Sequence, residues 1–253
     1  MTERPDISVV IPVFNAERFL AERLGALVRY LEESPFEHEI VAVDDGSKDS
    51  SGAILDGLAS PRFVSIRSAE NHGKFAAIRR GMATARGRCR IFTDADVPYR
   101  MNAILRAARL VNERGFHLLV GDRSLPQSSY AETLGPIRRV ATLAFTTAVR
   151  LFVTSGLGDT QCGFKAVRGD VADAIFPLMR EDGFAGDVEL LYIALKHNLE
   201  IKRIPVELGF AGHSTVRPLV HGAAMLRSLF AIRQRYRSGA YESPILSRLG
   251  STD

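Results

Sequence analysis

Arg90-Ile91-Phe92-Thr93-Asp94-Ala95-Asp96-Val97 decides how this chain is read. An apolar run ending in two carboxylates two residues apart reads as a buried strand that delivers Asp94 and Asp96 to the rim at its C-terminal end. Two acids share such a rim cheaply only when a cation joins them. A hard divalent ion such as Mg²⁺ or Mn²⁺ takes carboxylate oxygens and draws its other ligands from water and phosphates, so the pair suits a nucleoside diphosphate. The plainer alternative is that Asp96 caps a helix starting near Pro98 while Asp94 is solvated.

Working outward, Ile7 to Pro12 is a β-branched run stopped by proline and predicts the first strand of a parallel sheet. Phe14-Asn15 form the loop, and Phe19, Leu20, Leu24, Leu27 and Leu31 give Glu17 to Glu33 helical spacing. A second apolar run from Glu39 again ends in paired acids, Asp44 and Asp45, with Ser47 or Asp49 expected to cap the next helix. Ligands of open α/β sheets bind outside the carboxyl ends of the strands, so both acid pairs fall on one rim. Arg62 to Arg67 predicts a third strand, and Asn71-His72-Gly73-Lys74 opens a helix running to Ala85. There Lys74 and free backbone N–H groups can act on the same phosphate, or Lys74 is an ordinary solvated lysine. A helix through Ile104, Leu105, Ala108 and Val111 and a strand from Phe116 to Gly121 lead into Asp122-Arg123. Five βα units in about 120 residues predict an α/β fold with a doubly wound, mostly parallel sheet.

Beyond Gln127 the rhythm changes. Residues 136–157 hold Arg138, Arg139 and Arg150 with no acid, and their apolar residues surround the predicted helix, which suits burial in the core, a dimer contact or lipid. A polar, glycine-bearing stretch, Gly158 to Lys165, precedes a helix ending near Met179. Asp187-Val188-Glu189-Leu190-Leu191-Tyr192 opens another helix, which Asp187 could cap. Ile201 to Leu208 contains Pro205 and is expected at a sheet edge. Residues 212–237 form a basic helix with Arg217, Arg227, Arg233, Arg235 and Arg237, either a membrane-surface contact or a solvated face. The expected division is a catalytic domain over 1–212 and a basic C-terminal helix and tail over 213–253.

Of 253 residues, 46% are hydrophobic and 25% charged, as in an ordinary globular protein with a sizeable core. Lys and Arg number 33 against 29 Asp and Glu, an excess too small to argue for nucleic acid. Cys89 and Cys162 make no CxxC, and six scattered histidines have no metal-ligand spacing, so zinc and thiol redox chemistry are not expected. Nothing resembles a secretory leader, and no apolar run reaches the roughly 20 residues a bilayer span needs. A cytoplasmic protein, peripheral on the inner membrane face, is expected.

Ser8 to Asn15, Val43-Asp44-Asp45-Gly46-Ser47, Asn71-His72-Gly73-Lys74, Asp94-Ala95-Asp96, Gly121-Asp122-Arg123 and Asp159-Thr160-Gln161-Cys162-Gly163-Phe164-Lys165 stand in one order. That order resembles family 2 glycosyltransferases of the GT-A fold, over roughly residues 6 to 235. The last of these motifs, together with Asp187 to Ala194, is most similar to the dolichyl-phosphate β-glucosyltransferase branch, a neighbour of the dolichyl-phosphate mannose synthases.

The resemblance implies inverting transfer of a hexose, glucose favoured, from a nucleotide-diphosphate sugar to a polyprenyl phosphate, with Mg²⁺ or Mn²⁺ as cofactor. UDP-glucose is the favoured donor and GDP-mannose the other candidate. It implies that Pro12 and Phe14 line the nucleoside pocket, that Asp44 and Asp45 belong to it with Asp45 bonding the base, and that Lys74, Asp94 and Ala95 meet the nucleotide sugar. Asp94 and Asp96 would hold the metal, and Arg123 and Lys165 would face phosphate groups. His213, Ser214 and Arg217 would join Arg123 at the acceptor phosphate, and Asp187 would stand beside the acceptor. A soluble enzyme with a hydroxyl acceptor would need Asp187 as base, and a catalytically silent nucleotide-sugar binder is the reading from another class. Three departures mark this chain: Phe75 where glycine is common, implying a narrower loop at the diphosphate; Pro98 where a glutamine ligand is usual; and Ser214-Thr215 in place of Ser-Lys. A homo-oligomer is a further expectation, through residues 136–157.

Overall fold

Ile7–Val13 (β1) is buried along its length because both of its faces are covered, Val10 by one apolar cluster and Ile7, Val9, Ile11 and Val13 by the other. This continuous apolar run is the signature of a parallel strand at the centre of a sheet. The computed structural model describes residues 4–129, 159–209 and 218–251, with only the backbone of 218–226. In chain order β1 is followed by α1 (Glu17–Glu32), β2 (His38–Asp44), α2 (Ser51–Gly57), β3 (Phe63–Arg67), α3 (Lys74–Thr84), β4 (Cys89–Phe92), α4 (Asn102–Arg114) and β5 (Leu118–Asp122). Then come β6 (Lys165–Arg168), α5 (Gly169–Ile175), α6 (Gly186–Lys196), β7 (Ile201–Pro205), α7 (Pro218–Arg237) and α8 (Pro244–Leu249).

Among the described residues seven strands form one sheet in the order β3-β2-β1-β4-β6-β5-β7, so the predicted α/β architecture is present, with four leading βα units followed by β5. β1 pairs parallel with β2 and with β4, opposing Val10 to Val41 and to Phe92. The chain therefore winds one way from β1 to β3 and the other way from β4, which makes the β1/β4 boundary a topological switch point. Sequence reading missed β6, taking Lys165 as the end of a polar loop. It runs antiparallel between β4 and β5, opposing Phe92 to Lys165 and Leu119 to Ala166. β7 lies at the sheet edge expected for a strand with Pro205, and it ends at that proline rather than at Leu208.

Helices cover both faces. On one, Leu20, Leu24, Leu27 and Leu31 of α1 are fully buried with Ile104, Ala108 and Val111 of α4. Burying each leucine contributes roughly 2 kcal/mol. On the other, α3, α5 and α6 pack with Leu229 and Ile232 of α7, with Tyr241 in the turn that follows it, and with Leu246 of α8. The C-terminal helices are thus built into the same core as α3. The 136–157 segment lies outside the described residues, as do His213, Ser214 and Arg217. No helix among the described residues is long and apolar enough to cross a membrane.

Candidate functional site

The rim at the C-terminal ends of β1, β2 and β4 is tied together by side chains that sequence reading assigned to a different task. Of the two expected caps of α2, Asp49 accepts through Oδ1 from the N–H of Ser51, the first residue of that helix, at 3.0 Å. Both also reach to the α1 start: Asn15 N donates to Ser47 Oγ at 2.9 Å, Ala16 N to Ser51 Oγ at 2.8 Å and Glu17 N to Asp49 Oδ2 at 3.1 Å. Asn15, in the left-handed region at φ 50°, accepts from Lys48 N at 2.8 Å and closes the brace. Beside it Phe14 is 48% exposed, an apolar face on the rim.

Asp44 and Asp45 end β2 nearly buried. Asp44 accepts from Ser47 N at 2.9 Å and lies 3.4 Å from Arg67 Nε. Asp45 accepts from Gly73 N at 2.8 Å and from His72 N at 3.1 Å, so its carboxylate holds the turn before α3. The Phe75 and Ala76 N–H groups, in the first turn of α3, both donate to the Asp182 carbonyl, at 2.7 and 3.4 Å. Two of the expected free N–H groups at this helix start, those of Phe75 and Ala76, are therefore taken up within the protein. Nor does Phe75 narrow the loop. Its ring is buried edge-on to Phe92 at 5.7 Å, over Gly186.

Asp94 and Asp96 follow β4 and are partly exposed, and the helix after them starts at Asn102, too late for Asp96 to cap it. Val97 N donates to Asp94 O at 2.9 Å, closing a turn in which Val97 has φ 42°. Lys74 Nζ lies 2.5 Å from Asp94 Oδ1. Burial works against the Lys74 charge, but Asp94 and Asp187 outweigh it and hold its pKa above the ordinary value. Asp96 is pushed up to about 6 by burial and by the Asp94 charge, with Lys74 and Arg23 opposing. Arg23 is a site neighbour that sequence reading missed. It sits on the leucine stripe of α1, and a cation on an apolar stripe was the available signal.

The Asp159-to-Lys165 motif closes the far side. Arg123 grips Asp159 through Nε–Oδ2 at 2.5 Å and Nη2–Oδ1 at 2.9 Å, which raises the arginine pKa and holds the Asp159 carboxyl low. Cys162 is buried, donates to Tyr99 Oη at 3.2 Å, and is pushed up to about 11 by burial and then by Asp159, the environment of a packing thiol. Lys165 is fully buried. Its ammonium donates to the Cys162 carbonyl at 2.8 Å and pairs with Asp187 Oδ1 at 2.5 Å, so no phosphate reaches it in this arrangement. Asp187 lies in the first turn of α6 beyond its cap residue, Ala185, and is itself nearly buried. Gly163 touches Asp94 so closely that an added Cβ would stand 1.9 Å from Oδ2.

These residues fit a divalent ion. Burial and the Asp94 charge raise the proton affinity of Asp96, which a cation would relieve, and Gly163 leaves Asp94 the room to turn. Among the described residues no group of three or more His, Cys, Asp or Glu side chains is arranged for a metal, so the remaining ligands would be a diphosphate and water. A groove of about 530 Å³ between α1 and α4, lined by Tyr30, Arg106 and Arg109 among others, holds none of these residues.

Residues 8–176 match the family described as Glycosyl transferase family 2. Among curated proteins, the dolichyl-phosphate beta-glucosyltransferase of Drosophila melanogaster is 30% identical over 250 residues, covering 93% of this chain and 77% of that protein. The Homo sapiens protein of the same name is 30% identical over 255 residues, with the same coverage of 93% and 77%. Among solved structures, mannosyl-3-phosphoglycerate synthase from Rubrobacter xylanophilus aligns with a TM-score of 0.70 at 15% identity, over 94% of this chain and 76% of that one. Glucosyl-3-phosphoglycerate synthase from Mycobacterium tuberculosis, crystallised with Mn²⁺, UDP and glucosyl-3-phosphoglycerate, aligns at 0.61 and 21% identity, over 92% and 80%. At these identities the two structures speak for the fold alone.

Proposed function

That this chain belongs to glycosyl transferase family 2 is the premise from which we propose its reaction: inverting transfer of glucose from UDP-glucose to a polyprenyl phosphate of the dolichyl type. The observation that carries the chemistry is the meeting of Asp94, Asp96 and Lys74 at the switch point of the sheet. The names of the curated relatives support the sugar and the lipid acceptor.

In this reading Phe14 offers its exposed face to the nucleoside beside Pro12, and Asp94 and Asp96 are the residues that would hold Mg²⁺ or Mn²⁺. When bound, the ion neutralises charge on the departing nucleoside diphosphate. Lys74 places a cation on the same diphosphate, while Arg123, fixed in orientation by Asp159, faces the acceptor phosphate. A phosphate monoester, with a second pKa near 6, is mostly dianionic at neutral pH and attacks the anomeric carbon without a base. Asp187 agrees with this, because its carboxylate is committed to Lys165 rather than presented to a hydroxyl acceptor. Its task is to hold Lys165, and through it the Cys162 carbonyl next to Gly163. Attack opposite the leaving group in one step inverts the anomeric centre. The basic, acid-free α7 supports a peripheral position at an anionic cytoplasmic membrane face.

The test is purified protein with Mn²⁺ or Mg²⁺, a panel of nucleotide sugars and a short polyprenyl phosphate, with mass detection of the lipid product and NMR of its anomeric configuration. Glucosyl lipid from UDP-glucose, abolished in Asp96→Ala, is the expected result. An Asp96→Ala protein as fast as the parent would show that the metal assignment is wrong.

A further inference from the structure

We propose that Glu189, outside the rim, is a positioning residue for Lys74, and that it acts together with the C-terminal helix α7 through the turn at residues 180–183. The inference rests on the proposed role of Lys74 at the diphosphate, and it deepens that role by naming what holds the lysine in place.

Glu189 is fully buried in α6, yet donors converge on both of its carboxylate oxygens. Arg180 N and Glu181 N donate to Oε2 at 2.9 and 2.8 Å, and Tyr241 Oη donates to Oε1 at 2.6 Å. Arg235 Nη1 donates to Glu181 Oε1 at 2.5 Å and reaches Glu189 Oε1 at 3.4 Å, while Ser228 Oγ donates to Glu181 Oε2 at 2.5 Å. One buried acid therefore fixes the backbone of the 180–181 turn, and α7 fixes the Glu181 side chain. A buried carboxylate is retained only where such a donor set satisfies it.

The same turn then holds the start of α3. The Asp182 carbonyl accepts from Phe75 N at 2.7 Å and from Ala76 N at 3.4 Å. Arg79, one turn further along α3, donates to the Glu181 carbonyl at 2.8 Å and pairs with the Asp182 carboxylate. Gly73 has φ 103°, and a Cβ there would stand 2.5 Å from the Asp182 oxygen, so the approach leaves no room for any other residue. Lys74 lies between Gly73 and Phe75, and its ammonium meets Asp94. The path from Arg235 to Lys74 is thus an unbroken run of hydrogen bonds and ion pairs: α7, Glu181 and Glu189, Asp182, the first turn of α3, the rim. A lysine has four rotatable bonds, and it delivers its charge to a fixed point only if its backbone is fixed.

The experiment uses the full chain, comparing the parent with Arg235→Gln, Glu189→Gln and Arg235→Lys. Amide hydrogen exchange is followed over residues 73–77 and over β1 and β2 as internal controls. Arg235→Gln and Glu189→Gln should speed exchange at Phe75 and Ala76 at least tenfold and leave β1 and β2 at parent rates. Arg235→Lys should restore slow exchange, because a single arginine nitrogen makes both contacts and an ammonium can replace it. The Kd for UDP with Mn²⁺ should weaken about tenfold in Arg235→Gln and recover in Arg235→Lys. Parent-like exchange at Phe75 and Ala76, or equal acceleration in β1 and β2, overturns the inference. Should Glu189→Gln not fold, Arg235→Gln decides alone. A parent protein that binds no UDP overturns the proposed function instead, since the exchange measurement requires no ligand.

Discussion

Gly163→Ala puts the metal reading under direct strain. A Cβ at residue 163 would stand 1.9 Å from Asp94 Oδ2, and the three nearest atoms all belong to the Asp94 carboxylate. Real Cβ contacts essentially never fall below 3.0 Å, so the carboxylate must retreat by about 1.1 Å or the 163 backbone must lift by as much. The carboxylate, at the end of a side chain, yields more easily than backbone, and its retreat breaks the 2.5 Å contact between Asp94 and Lys74 and misplaces the oxygens offered to a metal. A misplacement of about 1 Å costs roughly 100-fold in rate, near 2.7 kcal/mol of transition-state stabilisation. Stability should hardly change. The residue has no positive φ, alanine restrains the unfolded chain by about 0.5 kcal/mol, and losing a half-exposed ion pair costs a similar amount. The assay is kcat/KM for lipid glucosylation, set beside Mn²⁺ affinity from paramagnetic resonance and Tm from calorimetry. The expected pattern is a fall of about 100-fold in kcat/KM, weaker Mn²⁺ binding, and a Tm within about 3 °C of the parent. Parent-like turnover and Mn²⁺ affinity would refute the argument, because Asp94 would then have no role that depends on its position.

Two further outcomes follow from the buried charges. Lys165→Met should lower stability to chemical denaturation by about 3–5 kcal/mol by stranding the Asp187 carboxylate, and Lys165→Met with Asp187→Leu should recover most of it; an additive double mutant would contradict the pairing. Asp159, held low by Arg123, should contribute stability above its unfolded pKa of about 3.8 and lose it as pH falls through the lower folded value. The gap between the parent and Arg123→Gln in urea midpoints should therefore narrow as pH falls below about 4, and a gap that stays constant down to the lowest pH at which both proteins fold would remove the coupling.

What was legible in the sequence was local. The runs that became β1, β2 and β4 were continuous because both faces of the sheet are covered, and those of β2 and β4 led into acids at the rim. The leucine stripe of α1 was equally plain. What could not be read was set by partners distant in sequence. β6 has four residues, too few to show a period, and its place between β4 and β5 follows from pairings far along the chain. Local rules point Ser47 and Asp49 to the helix that follows them; Asp49 does accept from Ser51 N there, yet Ser47 and Asp49 also take the Asn15 and Glu17 amides, 32 residues earlier, which no local rule shows. The family resemblance implies a phosphate-facing Lys165, as suits a residue type that usually reaches solvent. Its pairing with Asp187, 22 residues on, turns that cation into an internal brace.

The closed start of α3 explains why the rim depends so heavily on side chains. A helix N-terminus ordinarily offers an anion its unpaired N–H groups. Here the His72 and Gly73 amides go to Asp45, and the Phe75 and Ala76 amides go to Asp182. With these four amides engaged, a diphosphate at this rim is met chiefly by carboxylate-held metal and by charged side chains, whose flexibility makes them poor ligands unless they are fixed from behind. The surrounding structure supplies that support. Asp159 orients Arg123, the 180–183 turn carries the backbone of Lys74, and Gly163 seats Asp94. The turn after Asp94 is completed at a conformational cost, with a β-branched residue, Val97, held at φ 42°, a strain of order 1–2 kcal/mol. Val97 is only 5% exposed and packs in the core of α1 and α4. Burial of its side chain offsets the backbone strain, and the consequence is a tight turn that keeps Asp94 close enough to raise the proton affinity of Asp96 and the pair close enough to share one cation.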